Sequence, residues 1–151
     1  MKAFPWLFLC IGLVGCDTND RNKSRGHKIN HDNGLVAEAE FEYTSFDKTD
    51  NGFIIRKNPE DSRQAGSITL ELVNAYDTAN TETRTIDDAT YHFHLNTFQG
   101  GSGGAEYTLR IWKPLNGNGI ALEHYVQSEY EPDFAESWKL IESATVQSEN
   151  D

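Results

Sequence analysis

The residue whose chemistry most constrains this chain is Cys16, which ends an apolar run and is followed at once by the polar sequence Asp-Thr-Asn-Asp. A cysteine in such a position serves as half of a disulfide, as a metal ligand, as a buried thiol or as a site of lipid attachment. Each of these roles puts the protein in a different compartment, so the surrounding sequence has to decide between them.

Histidines offer a second kind of chemistry. His92 and His94 are two residues apart, which places both side chains on one face of a strand, and His124 lies in a later strand-like segment. Imidazole nitrogens bind zinc and related metals, so these residues are candidate ligands. Two histidines on the polar face of a half-buried strand are also typical of a solvated surface. We therefore expect no metal site.

The sequence Gly-Gly-Ser-Gly-Gly at 100–104 matches the Gly-x-Ser-x-Gly pattern of a nucleophile elbow. That turn joins a strand to a helix, whereas residues 100–104 lie between two strand-like segments. Pairs of carboxylates have the chemistry of a glycosidase, and the candidates are Glu123, Glu129, Glu131, Asp87 and Asp88. With 24 acidic residues, however, such pairs arise by chance. We expect no catalytic residues and predict that the chain is not an enzyme.

Residues 1–15 have the organisation of a secretory signal peptide. Met1-Lys2 supplies a positive start, and residues 3–14 are uncharged and too few to span a membrane. Leu13-Val14-Gly15-Cys16 then resembles the bacterial lipoprotein signal, in which the cysteine is acylated, with palmitate among its lipids, and becomes the mature N-terminus. We expect Cys16 to hold the protein to the inner or outer membrane of a Gram-negative bacterium through lipid alone.

Residues 17–34 contain one aliphatic residue, Ile29, and predict a flexible tether between the lipid and a single domain at 35–151. His27 and His31 lie at helical spacing, but glycine and asparagine around them disfavour a helix. We interpret both histidines as solvated tether residues.

Alternating apolar and polar residues predict about seven strands between residues 35 and 127. Turn sequences separate several of them, including the Asn-Gly that ends 47–52 and the Gly/Asn-rich segment 115–119. The strand-like segments are 35–46, 52–57, 66–73, 81–86, 89–96, 105–112 and 120–127.

The periodicity changes near the end of the chain. Phe134, Trp138 and Ile141 are spaced i, i+4 and i+7, which predicts an amphipathic helix within 131–143. Asp133 followed by Glu136 has the form of a capping box. The expected fold is mainly β (α+β), an antiparallel sheet or small sandwich of about seven strands with one C-terminal amphipathic helix.

Composition limits the partners. A chain of 151 residues with 37% hydrophobic residues favours one domain with a modest core. The formal net charge of −11 argues against nucleic-acid binding, which requires a basic surface, and against lying flat on an anionic membrane. An acidic surface instead suits a basic or metal-bearing protein partner.

Two stretches carry a family resemblance: FQGGSGGAEYTLRIW at 98–112 and HYVQSEYEPDFAESWKLIES at 124–143. They resemble the small periplasmic lipoprotein immunity proteins of type VI secretion systems, in particular the group that neutralises a calcium-dependent peptidoglycan muramidase. The resemblance implies a binding protein that occludes the active site of a secreted, cell-wall-degrading toxin in the periplasm. It also implies that acidic residues lie near calcium at the partner interface.

The resemblance assigns no individual interface residues, so these are predicted from the glycine-rich loop and its polar neighbours. Trp112, Trp138 and Tyr130 are candidate interface anchors, although the helical spacing favours core packing for Trp138. An envelope-anchored structural lipoprotein and a metal-dependent hydrolase remain alternative functions. The predicted partner-binding residues are Gly100, Gly101, Ser102, Gly103, Gly104, Glu106, Glu123, Tyr125, Glu129 and Tyr130.

Overall fold

The computed structural model describes residues 27–40, 45–57, 66–100 and 104–147. Within these ranges the chain forms ten strands and one helix. The elements are β1 (His27–Asn30), β2 (Leu35–Ala39), β3 (Ser45–Lys48), β4 (Gly52–Lys57), β5 (Gly66–Val73), β6 (Glu82–Ile86), β7 (Ala89–Gln99), β8 (Ala105–Pro114), β9 (Gly119–Ser128), α1 (Ala135–Ser143) and β10 (Thr145–Val146).

Seven strands form one antiparallel sheet in the order β3-β4-β5-β9-β8-β7-β6, and three form a small antiparallel sheet in the order β1-β2-β10. The predicted Asn-Gly turn joins β3 to β4. Gly52 is required there because a Cβ would collide with the carbonyl oxygen of Leu70. Asp87 and Asp88, with φ of 46° and 66°, form the two-residue turn between β6 and β7. The prediction of a mainly β fold with one helix is confirmed.

The two faces of the seven-stranded sheet differ because apolar and polar residues alternate along its strands. The outer face carries partly or fully exposed residues, among them Thr69, Arg110 and Glu123. The inner face carries the buried core residues Phe53, Ile55, Ile68, Leu70, Tyr91, Leu109, Ile111, Ile120 and Leu122.

The small sheet and α1 pack against the inner face. Leu35 of β2 and Leu140 of α1 belong to the same core as the large sheet, and both are fully buried. Helix α1 contacts both β2 and β9. Because β2 is covered on both faces, Leu35, Val36 and Ala37 are all buried, and the strand does not alternate.

Lys113 of β8 holds the end of the helix. Its Nζ donates to the carbonyl oxygens of Glu142 and Ala144, at 3.0 and 2.8 Å, and to that of Ile141 at 3.4 Å. A cation at a helix C-terminus is favourable because the last carbonyls lack helical partners. Burial lowers the pKa of the Lys113 amine, and the carboxylate of Glu142 opposes that shift.

The prediction that residues 17–34 form a flexible tether is wrong for its C-terminal part. Residues 27–30 form β1, in register with β2, and the turn that follows is tied to the large sheet. His31 Nδ1 accepts a hydrogen bond from the Asn33 N–H, so Nε2 carries the proton and donates to the carbonyl oxygen of Thr49 at 2.8 Å. The ordered domain therefore begins by His27, before residue 35, because side-chain hydrogen bonds stabilise a segment that is poor in apolar residues.

Two predicted element boundaries also change. Segment 35–46 is not one strand, since 35–39 belong to the small sheet and 45–48 to the large one. The helix begins at Ala135, and its N-cap residue, Phe134, makes no side-chain capping bond. The carboxylate of Asp133, the residue before this N-cap, accepts a hydrogen bond from the N–H of Ala135 at 2.9 Å, so it satisfies a free N–H of the first turn from one position earlier than the N-cap.

The predicted signal peptide, Cys16 and residues 17–26 of the predicted tether lie outside the described residues, as do Gly101, Ser102 and Gly103. Helix α1 has nine residues, and no described helix is long and apolar enough to cross a membrane.

Candidate functional site

The sheet separates the three candidate metal-binding histidines. His92 and His94 lie on the outer face, whereas His124 is opposite Leu109 on the inner face and is 4% exposed. The His94 ring hydrogen-bonds Asn96 at 2.8 Å, and the His92 ring lies 5.5 Å from the Trp112 ring. The described residues contain no group of three or more histidine, cysteine or acidic residues arranged to hold a metal.

His124 has a different partner that the sequence did not indicate. Its Nδ1 lies 2.6 Å from the Oγ of Ser137 on α1, and the ring packs edge-on against Phe134. A serine beside a histidine resembles a nucleophile–base pair, but Ser137 is fully buried, so no substrate can reach it. The pair fixes α1 on β9.

Gly100 and Gly104, the two described residues of the predicted glycine-rich segment, follow β7 and precede β8, next to the end of β9. We call this end of the seven-stranded sheet, defined by Phe98, Gly100, Gly104 and residues 128–134, the loop end. Gly104 has φ of +96°, and a Cβ at this position would lie 2.5 Å from the carbonyl oxygen of Ser128. A glycine is therefore needed for the hairpin to approach β9 so closely.

Two large hydrophobic side chains are exposed at the loop end. Phe98, near the end of β7, is 68% exposed, and Tyr130, just after β9, is 78% exposed. Glu129 and Glu131 flank Tyr130 in the chain and are also exposed. Exposed aromatic rings cost free energy in water and are enriched at protein interfaces, so this end has the composition of a binding surface.

Glu106 joins this surface to the outer face. It is opposite Phe98 on β7 and Gln127 on β9, and it lies beside the Tyr125 hydroxyl. Burial raises the pKa of Tyr125, and both the charge of Glu106 and its hydrogen bond with the phenol raise it further. The Tyr125 hydroxyl thus lies beside a partly exposed carboxylate.

The structure brings together most of the described residues that the sequence predicted for partner binding. Gly100, Gly104, Glu129 and Tyr130 lie at the loop end, and Glu106 and Tyr125 lie close to it on the outer face. Glu123 is about 17 Å further along β9 from Ser128. It is engaged with Arg110, whose Nε donates to Glu123 at 2.7 Å.

The two tryptophans are not free anchors. Trp112 is stacked under Tyr76, with ring centroids 5.7 Å apart and planes 8° from parallel, and Gly119 leaves room for its indole. Trp138 packs edge-on against Tyr91 and Phe93. The prediction of core packing for Trp138 is confirmed by these contacts.

Phe98 was not predicted as a candidate because the sequence pattern placed the end of this strand at residue 96. The strand continues to Gln99, and Phe98 falls on the outer face, out of phase with Tyr91, Phe93 and Leu95. A large aromatic residue on the polar phase of a strand, directly before a glycine-rich loop, is a signal that could have identified it.

Comparison with known families assigns the class of this protein. Residues 42–145, more than half of the chain, match the type six secretion immunity 3 domain, and the chain belongs to that family. It is an immunity protein of type VI secretion, and proteins of this kind bind a cognate toxin. The resemblance seen in the sequence is confirmed.

One curated relative supports this assignment, and one solved structure shares the fold. The chain is 26% identical over 148 residues, 97% of its length and 100% of the relative's, to the immune protein Tsi3 of Pseudomonas aeruginosa PAO1. A crystal structure of a protein from Bacteroides thetaiotaomicron VPI-5482 covers 83% of the chain with a TM-score of 0.59 and 14% identity. This chain spans half of that larger one, and the likeness shows the fold alone.

Proposed function

We propose that this protein binds a cell-wall-degrading toxin in the periplasm through its loop end and blocks access to the toxin's active site. The observation that carries the proposal is the exposure of Phe98 and Tyr130 at one end of an acidic sheet, in a chain of the immunity family. The protein acts by binding and needs no catalytic residue of its own.

The exposed aromatic residues of the loop end suit insertion into a groove. Gly104 lets the β7–β8 hairpin approach β9 closely, and Phe98 near the end of β7 and Tyr130 just after β9 are both exposed. A peptidoglycan hydrolase has an elongated groove for a glycan strand. Exposed aromatic side chains can enter such a groove, and buried aromatic anchors dominate the affinity of many interfaces.

The charge of the loop end supports a basic or calcium-bearing surface as its counterpart. Glu106, Glu129 and Glu131 all carry carboxylates near the two exposed rings. Opposite potentials speed diffusional encounter, and the effect decreases as salt screens the charges. Calcium bound by the toxin would supply the positive charge, so removing calcium from the toxin is expected to weaken the complex.

The test is a binding titration of the protein with its cognate toxin, followed by a peptidoglycan-cleavage assay. We expect Tyr130→Ala to weaken binding by about 2 kcal/mol, close to thirtyfold, because the ring is lost from the centre of the interface. Glu129→Lys is expected to slow association and to reduce its dependence on salt. Inhibition of cleavage should decrease in parallel with binding.

A matched control variant distinguishes an effect of the loop end on affinity from an effect of the overall net charge. Asp50 is an exposed acid at the β3–β4 turn, at the opposite end of the same sheet. Asp50→Lys changes the net charge as much as Glu129→Lys, yet we expect it to leave the affinity nearly unchanged. Equal losses in both variants would show that overall charge, and not the loop end, sets the affinity.

We also propose that Cys16 carries the lipid that holds this protein to the membrane. The support is the position of Leu13-Val14-Gly15-Cys16 at the end of the apolar segment. Membrane fractions of cells expressing the chain should contain the protein, and a radioactive fatty acid should label it. Cys16→Ser should abolish both, and persistent labelling of that variant would refute the assignment.

A further inference from the structure

Strand β6 is an exposed edge of the seven-stranded sheet. It pairs with β7 on one side, and no strand among the described residues pairs with its other side. Its residues Glu82 to Thr85 are all exposed. An edge with unpaired N–H and C=O groups is a template for a further strand.

The turn before β7 determines which backbone groups of β6 point outward. The two-residue turn closes on the pair Ile86 and Ala89, and in such a hairpin the closing pair is hydrogen-bonded. Hydrogen-bonded and non-hydrogen-bonded pairs then alternate along the strands. Glu82 and Arg84 therefore bond toward β7, while Thr83 and Thr85 direct their N–H and C=O groups to the open edge.

The side chains of β6 complement those of a second β6 in one register. When two copies pair antiparallel about Thr83, Glu82 of each copy lies opposite Arg84 of the other, and Thr81 lies opposite Thr85. The two neighbouring registers that use the same outward backbone groups centre on Arg84 and on Glu82, and they place two arginines or two glutamates face to face. Opposite charges in directly facing positions stabilise a strand pair, and like charges destabilise it.

We propose that β6 pairs with β6 of a second copy of this chain in the register centred on Thr83, so that two seven-stranded sheets become one continuous sheet. Arg84 is already positioned for this pairing, because its guanidinium lies 4.4 Å from the centre of the Trp138 ring. That contact limits the positions that the Arg84 side chain samples and leaves its charge exposed.

The pairing is weak in solution. The edge is five residues long, which gives an interface well below the roughly 1,200 Å² of a stable complex. The net charge of −11 on each copy also opposes association when little salt is present. Dimers are therefore expected at high local concentration, and covalent trapping is a suitable measurement.

The test uses the full chain with Cys10 and Cys16 replaced by serine, so that an introduced cysteine is the only thiol. With a short bis-maleimide at 0.15 M salt, Thr83→Cys should form a covalent dimer about tenfold faster than Thr90→Cys. Thr90 is an exposed threonine opposite Thr85 on β7, and in the proposed dimer its two copies lie about 20 Å apart. Equal rates for the two variants would overturn the proposal.

Charge exchange tests the register. In the Thr83→Cys chain, Glu82→Arg alone and Arg84→Glu alone should each reduce the rate to the Thr90→Cys level. An equimolar mixture of the two should restore it, because every facing pair in the mixed dimer again has opposite charges. Failure of the mixture to recover would overturn this register.

Thr85→Pro provides a second test that does not depend on Arg84. It removes an outward N–H without breaking a bond to β7, so the chain should fold and its dimer should decrease. A Thr83→Cys adduct with the toxin in place of a second copy would assign the edge to the toxin and overturn self-pairing. Because β6 and the loop end share no residue, Tyr130→Ala should dimerise normally, which keeps this proposal separate from the proposed function.

Discussion

Single residues fix the form of the loop end, and Gly104 shows how. Its φ of +96° lies in the region that side chains with a Cβ avoid, and its missing Cβ makes room for the carbonyl of Ser128. Gly117 has a similar φ of +86° but has nothing within 4 Å of a Cβ position. Comparing the two glycines therefore separates the free-energy cost of a positive φ from the cost of a steric collision.

We predict that Gly104→Ala lowers the free energy of unfolding by about 3 kcal/mol and Gly117→Ala by about 1 kcal/mol. The smaller loss reports the unfavourable φ alone, and the difference reports the collision with β9. Chemical denaturation of both variants measures the two values. If the losses are equal, then the hairpin does not pack against Ser128 as described.

Residue type and position in the sequence were enough to place Gly100 and Gly104 between two strands. They were not enough to separate the histidines, because strand order and register decide which face each ring occupies. The buried contact between His124 and Ser137 joins β9 to α1, a strand and a helix that share no backbone pairing. It follows from the docking of α1 and has no local signal.

Whole elements are positioned by contacts that cross between the layers, and Lys113 is the clearest case. It extends from β8 to the last carbonyls of α1, including those of Glu142 and Ala144. The helix has no basic residue of its own in its last turn. The sheet therefore supplies the positive charge that the helix terminus lacks.

We expect Lys113→Met to destabilise the fold by about 2 kcal/mol, because the substitution keeps the apolar stem and leaves buried carbonyls without a donor. Lys139→Met is the matched control, since Lys139 is exposed and only pairs with Glu40 at 3.4 Å. Its loss should be below about 0.5 kcal/mol. Thermal unfolding compares the two, and similar melting temperatures would refute the role given to Lys113.

Elements with strong periodicity were predictable from sequence. The alternation in 66–73 and 105–112 and the i, i+4, i+7 spacing of α1 correspond to real strands and a real helix. β1 and β10 were missed because they have four and two residues, too few to show a period. Segment 35–46 was predicted as one strand because its apolar and polar residues alternate throughout, although its two ends belong to different sheets.

At the scale of the molecule, the turn after β1 joins the small sheet to the large one. Asn33 Nδ2 donates to the carbonyl oxygen of Asn51 at 3.0 Å, and its Oδ1 accepts from the N–H of Leu35 at 3.0 Å. The neighbouring His31 ring packs edge-on against Phe53 of the core. These contacts make the first strand part of the domain.

We predict that Asn33→Ala lowers the free energy of unfolding by about 2 kcal/mol, because it removes two hydrogen bonds and leaves the Leu35 N–H without its acceptor. Asp32→Ala, one residue earlier, should have no measurable effect, since Asp32 is 89% exposed and forms only a surface ion pair with Lys48. Urea titrations distinguish the variants. A stable Asn33→Ala chain would mean that β1 and its turn are not coupled to the core.

The fold class could be predicted from the sequence, but the arrangement of the strands in two sheets could not. Local patterns specify strands and turns, whereas the order of strands depends on pairings between distant segments. The pairing of β2 with β10 joins residues more than a hundred positions apart, such as Val36 and Thr145. Only the complete core selects that contact.

The central position of β2 has a consequence for the order of folding. Its partner β1 is available as soon as the first residues of the domain are synthesised, but β10 is nearly the last segment to appear. Until then the backbone of Leu35 and Val36 has no partner strand on the β10 side. The inner face of the large sheet is also only partly covered. Contacts of such long range slow folding, so we expect the closure of α1 and β10 over β2 to come late in folding.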